Sequence, residues 1–294
     1  MRLRALAKIN LGLDVVCKRP DGYHEVRMIM QTINMYDQLD MEKAAEPGIR
    51  MKTNLAYVPV NENNLVYRAA DLLMKEFQIS DGLEINLKKV IPVAAGMAGG
   101  SSDAAAALIG VNRMFRLGLS QKDLMERGVT IGADVPYCIM RGTALAEGIG
   151  EKLTALNPMP KCYILIAKPG ISVSTKFVYG ALDANHLTHH PDIDGMIKAI
   201  DEQNLEGIAG CMENVLETVT VEKYPVIQTI KDMMMADGAM NAMMSGSGPT
   251  VFGIFDDKET AEKAADHLRK DSHAKQVFLT TPFNKKTGGR TNDK

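Results

Sequence analysis

The stretch that most restricts the fold of this 294-residue chain is Pro92-Val93-Ala94-Ala95-Gly96-Met97-Ala98-Gly99-Gly100-Ser101-Ser102, which runs straight into Asp103 and four alanines. Before it, Leu83, Ile85 and Leu87 alternate with Glu84, Asn86 and Lys88, the period-two pattern of a half-buried strand. After it, Ala104 to Leu117 has the composition of a strong helix former, and Gly118 supplies a stop. The order is strand, small-residue loop, helix. Gly96, Gly99 and Gly100 are expected to take whatever positive φ the loop needs. Small side chains let the backbone approach a ligand, and a helix N-terminus offers unpaired N–H groups at the positive end of its dipole. An oxyanion such as phosphate suits that arrangement; an ordinary turn ahead of a helix is the plainer alternative.

The common nucleotide fingerprints do not fit. A Walker A loop needs Gly-Lys followed by Ser or Thr after a first glycine five positions earlier, and the chain has no such triplet. A dinucleotide fold wants Gly-x-Gly-x-x-Gly after an opening strand, a spacing that Gly96, Gly99 and Gly100 do not have. A different phosphate-binding loop is required.

Composition narrows the class. The chain is 46% apolar and 24% charged with a net charge of −2, so nothing advertises a nucleic-acid or anionic-membrane partner. No apolar run approaches the roughly 18 residues of a membrane span. Met-Arg-Leu-Arg-Ala-Leu-Ala-Lys at the start lacks an apolar signal core, and the expected location is the cytoplasm. Cys17, Cys138, Cys162 and Cys211 are far apart and read as free thiols.

Along the chain, residues 2–16 form a strand candidate with Lys8 and Asn10 on one face, followed by an Arg19-Pro20-Asp21-Gly22 turn and Tyr23-His24. Further strand material covers 28–41. Asn63 or Asn64 can cap a helix running to about Phe77. Ser120 and Asp123 resemble a capping box for a helix ending at Gly128. Then comes Gly132-Ala133-Asp134-Val135-Pro136, with one carboxylate among small and apolar neighbours, and strands are expected at 139–147 and 149–156. A proline-bracketed connector at 157–161 suggests two domains, 1–157 and 158–283. In the second, a strand at 162–167 precedes a helix begun by Ser174 or Thr175 and containing Tyr179. A helical stretch follows over 193–236, and the last segments are strand, Ser245-Gly246-Ser247-Gly248-Pro249 turn, strand, helix, strand. Residues 284–294 are expected to be a disordered polar tail.

Three of these stretches stand in a telling order: Lys8-Ile9-Asn10, the Pro92–Asp103 loop, and the Ser245–Thr250 turn. The chain resembles the superfamily of galactokinase, homoserine, mevalonate and phosphomevalonate kinases, the GHMP kinases. Asp21-Gly22-Tyr23-His24, Gly132–Pro136 and Ala146-Glu147-Gly148-Ile149-Gly150-Glu151 tighten the likeness to the branch whose acceptor is a cytidine-diphosphate-linked polyol of the non-mevalonate isoprenoid route. The resemblance spans roughly residues 1–283. It implies a two-lobed α+β fold, with the phosphate loop in the N-terminal lobe, a ferredoxin-like C-terminal lobe and the active site in the cleft between them. It implies ATP as phosphoryl donor, bound by Pro92–Ser102, with magnesium. Asp134 would accept the proton of the attacking hydroxyl, and Lys8 would polarise that hydroxyl or stabilise the transferring group. Asn10 would orient substrate, while Tyr23, His24, Thr175 and Tyr179 would form the cytosine pocket. Ala94, Ala95 and Ala98 stand where members are often richer in glycine, and alanine is expected there only with negative φ.

Without the resemblance, Lys8 reads as a solvated strand lysine, Asp134 as a helix cap and Tyr179 as a helix core residue. A homoserine- or mevalonate-type kinase, and a catalytically silent nucleotide sensor on the same fold, are the alternatives. Neither substrate of the first pair carries a base for Tyr23 and His24. A nucleic-acid-binding module would want a basic-aromatic stripe, and there is none. His186, His189 and His190 are not expected to bind metal, since they stand in a polar stretch without acidic company. No residue is assigned to hold magnesium, and the assembly is expected to be a monomer or homodimer.

Overall fold

Alternating apolar residues make the start of the chain a long ribbon. β1 (Arg2–Lys18) and β2 (His24–Ala44) pair antiparallel across the Arg19–Gly22 turn, where Gly22 takes φ +87°. The computed structural model describes residues 1–285. β2 also pairs with β5 (Thr143–Gly148) through Val26–Gln31 and with β4 (Gly82–Lys88) through Gln38–Ala44. β3 (Gly48–Thr53) adds parallel to β4, and β6 (Lys152–Ala155) adds to β5. Helices α1 (Leu65–Glu76) and α2 (Gly99–Phe115) pack together beside this sheet. Asn64 caps α1 by accepting from the Val66 N–H, as its place before the apolar stripe predicts.

The decisive detail of β1 is its bulges. The register with β2 shifts between Leu6 and Lys8 and again between Asn10 and Gly12. Leu3, Ala5, Leu13 and Val15 join the core that contains α1 and α2, whereas Ala7, Ile9 and Leu11 join the core shared with the second sheet. In a flat strand all seven would share one face. Each bulge reverses the parity, so Lys8 and Asn10 are turned to the side of the small-residue loop.

α3 (Gln121–Gly128) has the predicted capping box from Ser120 and Asp123. α4 (Val135–Met140) replaces the first part of the strand expected over 139–147. Its β-branched and aromatic residues look strand-like, but Pro136 sits in the first turn, where a missing N–H costs nothing. The loop's helix also begins earlier than Ala104, at Gly99, and ends at Phe115.

The second sheet has the order β10-β7-β9-β8, from β7 (Tyr163–Lys168), β8 (Asn241–Met244), β9 (Val251–Phe255) and β10 (Gln276–Thr280). That is the ferredoxin-like order expected. The first crossover holds α5 (Thr175–Ala181), α6 (Ile193–Asp201), α7 (Leu205–Gly210), α8 (Glu217–Lys223) and α9 (Val226–Ala236), so the helical stretch read over 193–236 is four helices. α10 (Lys258–Lys270) supplies the second crossover. The chain then returns to the first sheet: Phe283 N–H donates to Thr32 O, and Asn284 Nδ2 donates to Met159 O at 2.7 Å. Residue 284, expected to begin a disordered tail, is thus held in place, and the rest of that expectation, from 286 onward, lies outside the described residues. Among the described residues no helix is long and apolar enough to cross a membrane, and all four cysteines are free.

Candidate active site

The loop after β4 carries positive φ at Ala94 (+51°), Gly96 (+72°) and Ala98 (+53°). Two of these are alanines, contrary to the sequence expectation, and Gly99 and Gly100 are not among the positive-φ residues. The reason is local. Gly99 and Gly100 already belong to α2 and take helical backbone, so the reversal into the helix falls on Ala98, its N-cap, which makes no side-chain cap. Glycine at 99 serves close packing instead: a Cβ there would lie 3.1 Å from Ile91 and 3.3 Å from Lys89 Nζ. At 96 it serves a closer approach, because a Cβ would fall 2.1 Å from the Ser245 carbonyl oxygen.

Gly96 is the meeting point of the two sheets' loops. Its carbonyl accepts from Lys8 Nζ at 3.3 Å and from Ser245 Oγ at 2.9 Å. Lys8, 5% exposed, also donates to Asn10 Oδ1 at 2.7 Å, so the two residues aligned by the bulges are bonded to each other. The Ser245–Gly248 turn is fixed from below by buried Asn214, whose Nδ2 donates to Met244 O and Gly246 O, both at 2.8 Å. Ser247 Oγ and Thr175 Oγ1 stand 2.8 Å apart and bind α5 to this turn.

These parts enclose one cleft of about 970 Å³. Lys8, Asn10, Tyr23, His24, Asp134, Thr175 and Tyr179 all line it, as do Pro92 to Gly96 and Ala98 to Ser101. Two residues of the expected loop do not. Met97 is buried in the core, and Ser102 gives its hydroxyl to Leu6 O at 2.6 Å and its N–H to Ala98 O. Asp134 occupies the N-cap position of α4, yet its side chain makes no cap hydrogen bond and has no ion-pair partner among the described residues. A carboxylate placed so is available to a ligand.

At the other end, the His24 and Tyr179 rings lie 5.2 Å apart at 45°, and Tyr23 is exposed at the mouth, its N–H held by Asp21 Oδ1. Burial, with Lys18 nearby, keeps His24 below the ordinary histidine value, so its imidazole is neutral at pH 7. Burial, with Asp134 adding, holds the Tyr179 phenol well above its ordinary value, so it stays protonated.

Several lining residues carried no signal in the sequence. Lys18, Lys176, Tyr57 and Lys89 face the cleft from loops and element ends. Lys89 ends an amphipathic strand like any solvated lysine, and only the fold brings Asp37 and Asp103 to it. The three histidines do have acidic partners, but separate ones: Asp183 for His186, Glu213 for His189 and Asp14 for His190. No group of three potential metal-ligating side chains exists among the described residues.

A phosphate-type loop closing on a buried lysine and an unpaired carboxylate, across two lobes of this topology, is the arrangement of a small-molecule kinase. The chain belongs to the GHMP kinases: residues 64–142 match the GHMP kinases N terminal domain and residues 196–274 the GHMP kinases C terminal domain. Within that family it is 57% identical to the 4-diphosphocytidyl-2-C-methyl-D-erythritol kinase of Lachnospira eligens, over 96% of this chain and 98% of that one. The kinase of the same name from Lachnoclostridium phytofermentans is 56% identical over 97% and 98%. A crystal structure of 4-(cytidine 5'-diphospho)-2C-methyl-D-erythritol kinase superposes with a TM-score of 0.84 at 30% identity, over 97% of this chain and 100% of that one.

Proposed function

We propose that this chain transfers the γ-phosphoryl group of ATP to the 2-hydroxyl of 4-diphosphocytidyl-2-C-methyl-D-erythritol, giving the 2-phosphate and ADP, in the non-mevalonate route to isopentenyl diphosphate. The observation that carries this reading is convergence. The phosphate loop, the Lys8–Asn10 pair, the unpaired Asp134 and the His24–Tyr179 pair all face one cleft. Full-length relatives of that name support the acceptor.

The geometry supports the following roles. ATP phosphates lie against the first turn of α2, where the leading N–H groups have no partner inside the helix and the dipole favours negative charge. Asp134 takes the proton of the acceptor hydroxyl as its oxygen attacks the γ-phosphorus. The bond from that phosphorus to the bridging oxygen breaks, and ADP leaves with the electron pair. The Lys8 ammonium, aimed by Asn10 Oδ1 and Gly96 O, steadies charge on the phosphoryl oxygens. A neutral His24 offers one ring N–H and one acceptor nitrogen to the edge of cytosine, and Tyr179 gives it a ring face. Division of the lobes falls at 157/158, between the last strand of the first sheet and the first strand of the second.

Magnesium fits as a cation carried mainly by the substrate phosphates. It keeps waters and needs few protein ligands. Ser101 lines the cleft and would supply a hydroxyl. Magnesium bound beside Ser101 would supply positive charge against the substrate phosphates.

The test is ADP release with MgATP and a panel of acceptors: the cytidylated compound, methylerythritol phosphate, homoserine and mevalonate. Turnover with the cytidylated compound alone is expected. Turnover with another alcohol overturns the acceptor, and silence on all four with measurable ATP binding leaves a nucleotide sensor.

A further inference from the structure

Three charged side chains without a role in the chemistry above are buried together beneath the phosphate loop. They are Asp37 of β2, Lys89 just past β4, and Asp103 early in α2, at 0%, 8% and 2% exposure. The Lys89 ammonium bonds both carboxylates, Asp37 through Oδ2 and Asp103 through Oδ2 at 2.6 Å. The other oxygen of Asp37 accepts from two consecutive loop amides, Val90 N–H and Ile91 N–H, the latter at 2.8 Å. The backbone of Lys89 is itself clasped by Asn54, through 2.7 Å and 3.1 Å bonds. One carboxylate thus touches the first residues of the loop directly and reaches the helix that closes it through a single ammonium.

One ammonium serves two carboxylates in this group. Burial works against the Lys89 ammonium, but Asp103 and Asp37 outweigh it and hold it above the ordinary lysine value. Burial pushes Asp103 well above the ordinary carboxyl value; Lys89 opposes this and Asp37 adds to it. The two directions are compatible because Asp103 faces a second carboxylate as well as the lysine. Asp103 also has an oxygen, Oδ1, with no partner among the described residues. Asp37 has none to spare, and is the better-bonded of the two acids.

We propose that Asp37 is a positioning residue for the nucleotide: it fixes the start of the phosphate loop through Val90 and Ile91 and the first turn of α2 through Lys89, and so sets the spacing of the amides that face ATP. This rests on the assignment of the loop to ATP. The ends of the loop are otherwise anchored to groups of other lineage: Met97 O to the Lys8 N–H and Gly96 O to Ser245. Asp37 joins the strand side to the helix side, through Val90 and Ile91 on one side and through Lys89 to Asp103 on the other.

Asp37→Asn tests it. The change leaves an acceptor for the amides and leaves Lys89 paired with Asp103, one ammonium to one carboxylate. KM for ATP is expected to rise about tenfold, the scale of one lost charge-assisted hydrogen bond, with KM for the cytidylated acceptor unchanged. Amide hydrogen exchange at Val90 and Ile91 is expected to speed up in the nucleotide-free variant. Ile85→Val, a core change in β4, should lower stability while leaving both KM values alone. Equal shifts in the two KM values, or an ATP KM within twofold of wild type, overturn the proposal. If Asp37→Asn does not fold, Asp37→Asn/Lys89→Met removes both charges together, and the same selective rise is expected. Failure of the wild-type enzyme to bind ATP defeats the loop assignment itself, a result separable from any property of the variants.

Discussion

Gly96→Ala is the sharpest perturbation of this site, because its cost is written in the backbone. The residue holds φ +72°, a conformation that costs an alanine about 1–2 kcal/mol. The new Cβ would also lie 2.1 Å from Ser245 O, a backbone atom that cannot rotate away. Reaching even the 3.0 Å limit of real Cβ contacts moves the loop and the turn apart by about 0.9 Å. That displacement carries the Gly96 carbonyl, and with it the acceptor of Lys8 Nζ and Ser245 Oγ. A shift of about 1 Å in reacting geometry is worth roughly a hundredfold in rate, or about 2.7 kcal/mol. We expect kcat/KM to fall by that factor in the coupled ADP assay, with circular dichroism unchanged. Gly210→Ala is the control: beyond its chain neighbours and its own helix backbone nothing lies within 4 Å of its Cβ position, and its φ is not left-handed. A Gly96→Ala enzyme within threefold of wild type refutes the close-approach argument.

Asp134→Asn is nearly isosteric but removes the proton acceptor; turnover should fall by about 10²–10⁴ while ATP binding, measured calorimetrically, stays intact. Wild-type turnover in this variant removes Asp134 from the chemistry. His24 gives a pH signature. Because burial keeps its native value below 6.5, the unfolded chain takes up the proton first; its contribution to stability is full above 6.5 and is lost as pH falls through the native value. KM for the cytidylated acceptor should rise in the same acid window, and His24→Gln should flatten both profiles. Ala98→Gly should stabilise the protein by about 0.5–1 kcal/mol by relieving left-handed backbone at the N-cap, a gain of a few degrees in Tm by thermal denaturation. An unchanged or lowered Tm contradicts that assignment of strain.

Much of this protein is legible without its fold, and the reasons are local. Strand, small-residue loop and helix are fixed by composition and period around residues 83–115, so a candidate anion site can be placed before any tertiary contact is known. Caps work the same way: Asn64, Ser120, Ser174 and Asp257 each use a side chain within three residues, and sequence spacing suffices to find the first three. Motifs such as Asp21–His24 and Gly132–Pro136 carried the family. The errors are equally physical. Residues 139 and 140, expected to open a strand, instead end α4, which an early proline and packing against α2 and α3 make helix. The helical region over 193–236 divides into four helices: Pro225 starts one of them as its residue type suggests, while Asn204, which caps another, was not singled out.

By itself, then, the sequence determined the elements, the chemical character of the loop and the residue types available to it. The tertiary structure decided which of them meet. Lys8 and Asn10 face the cleft because two bulges reverse the parity of β1, and a bulge depends on the pairing partner, not on the strand's own residues. Ala98 is left-handed because α2 starts at Gly99, where the backbone must turn under the helix. Lys89 is buried between Asp37 and Asp103 because β2, β4 and α2 converge there, from positions 52 and 14 residues away in the chain. Contacts over such separations are set by the packing of whole elements, which no local pattern records.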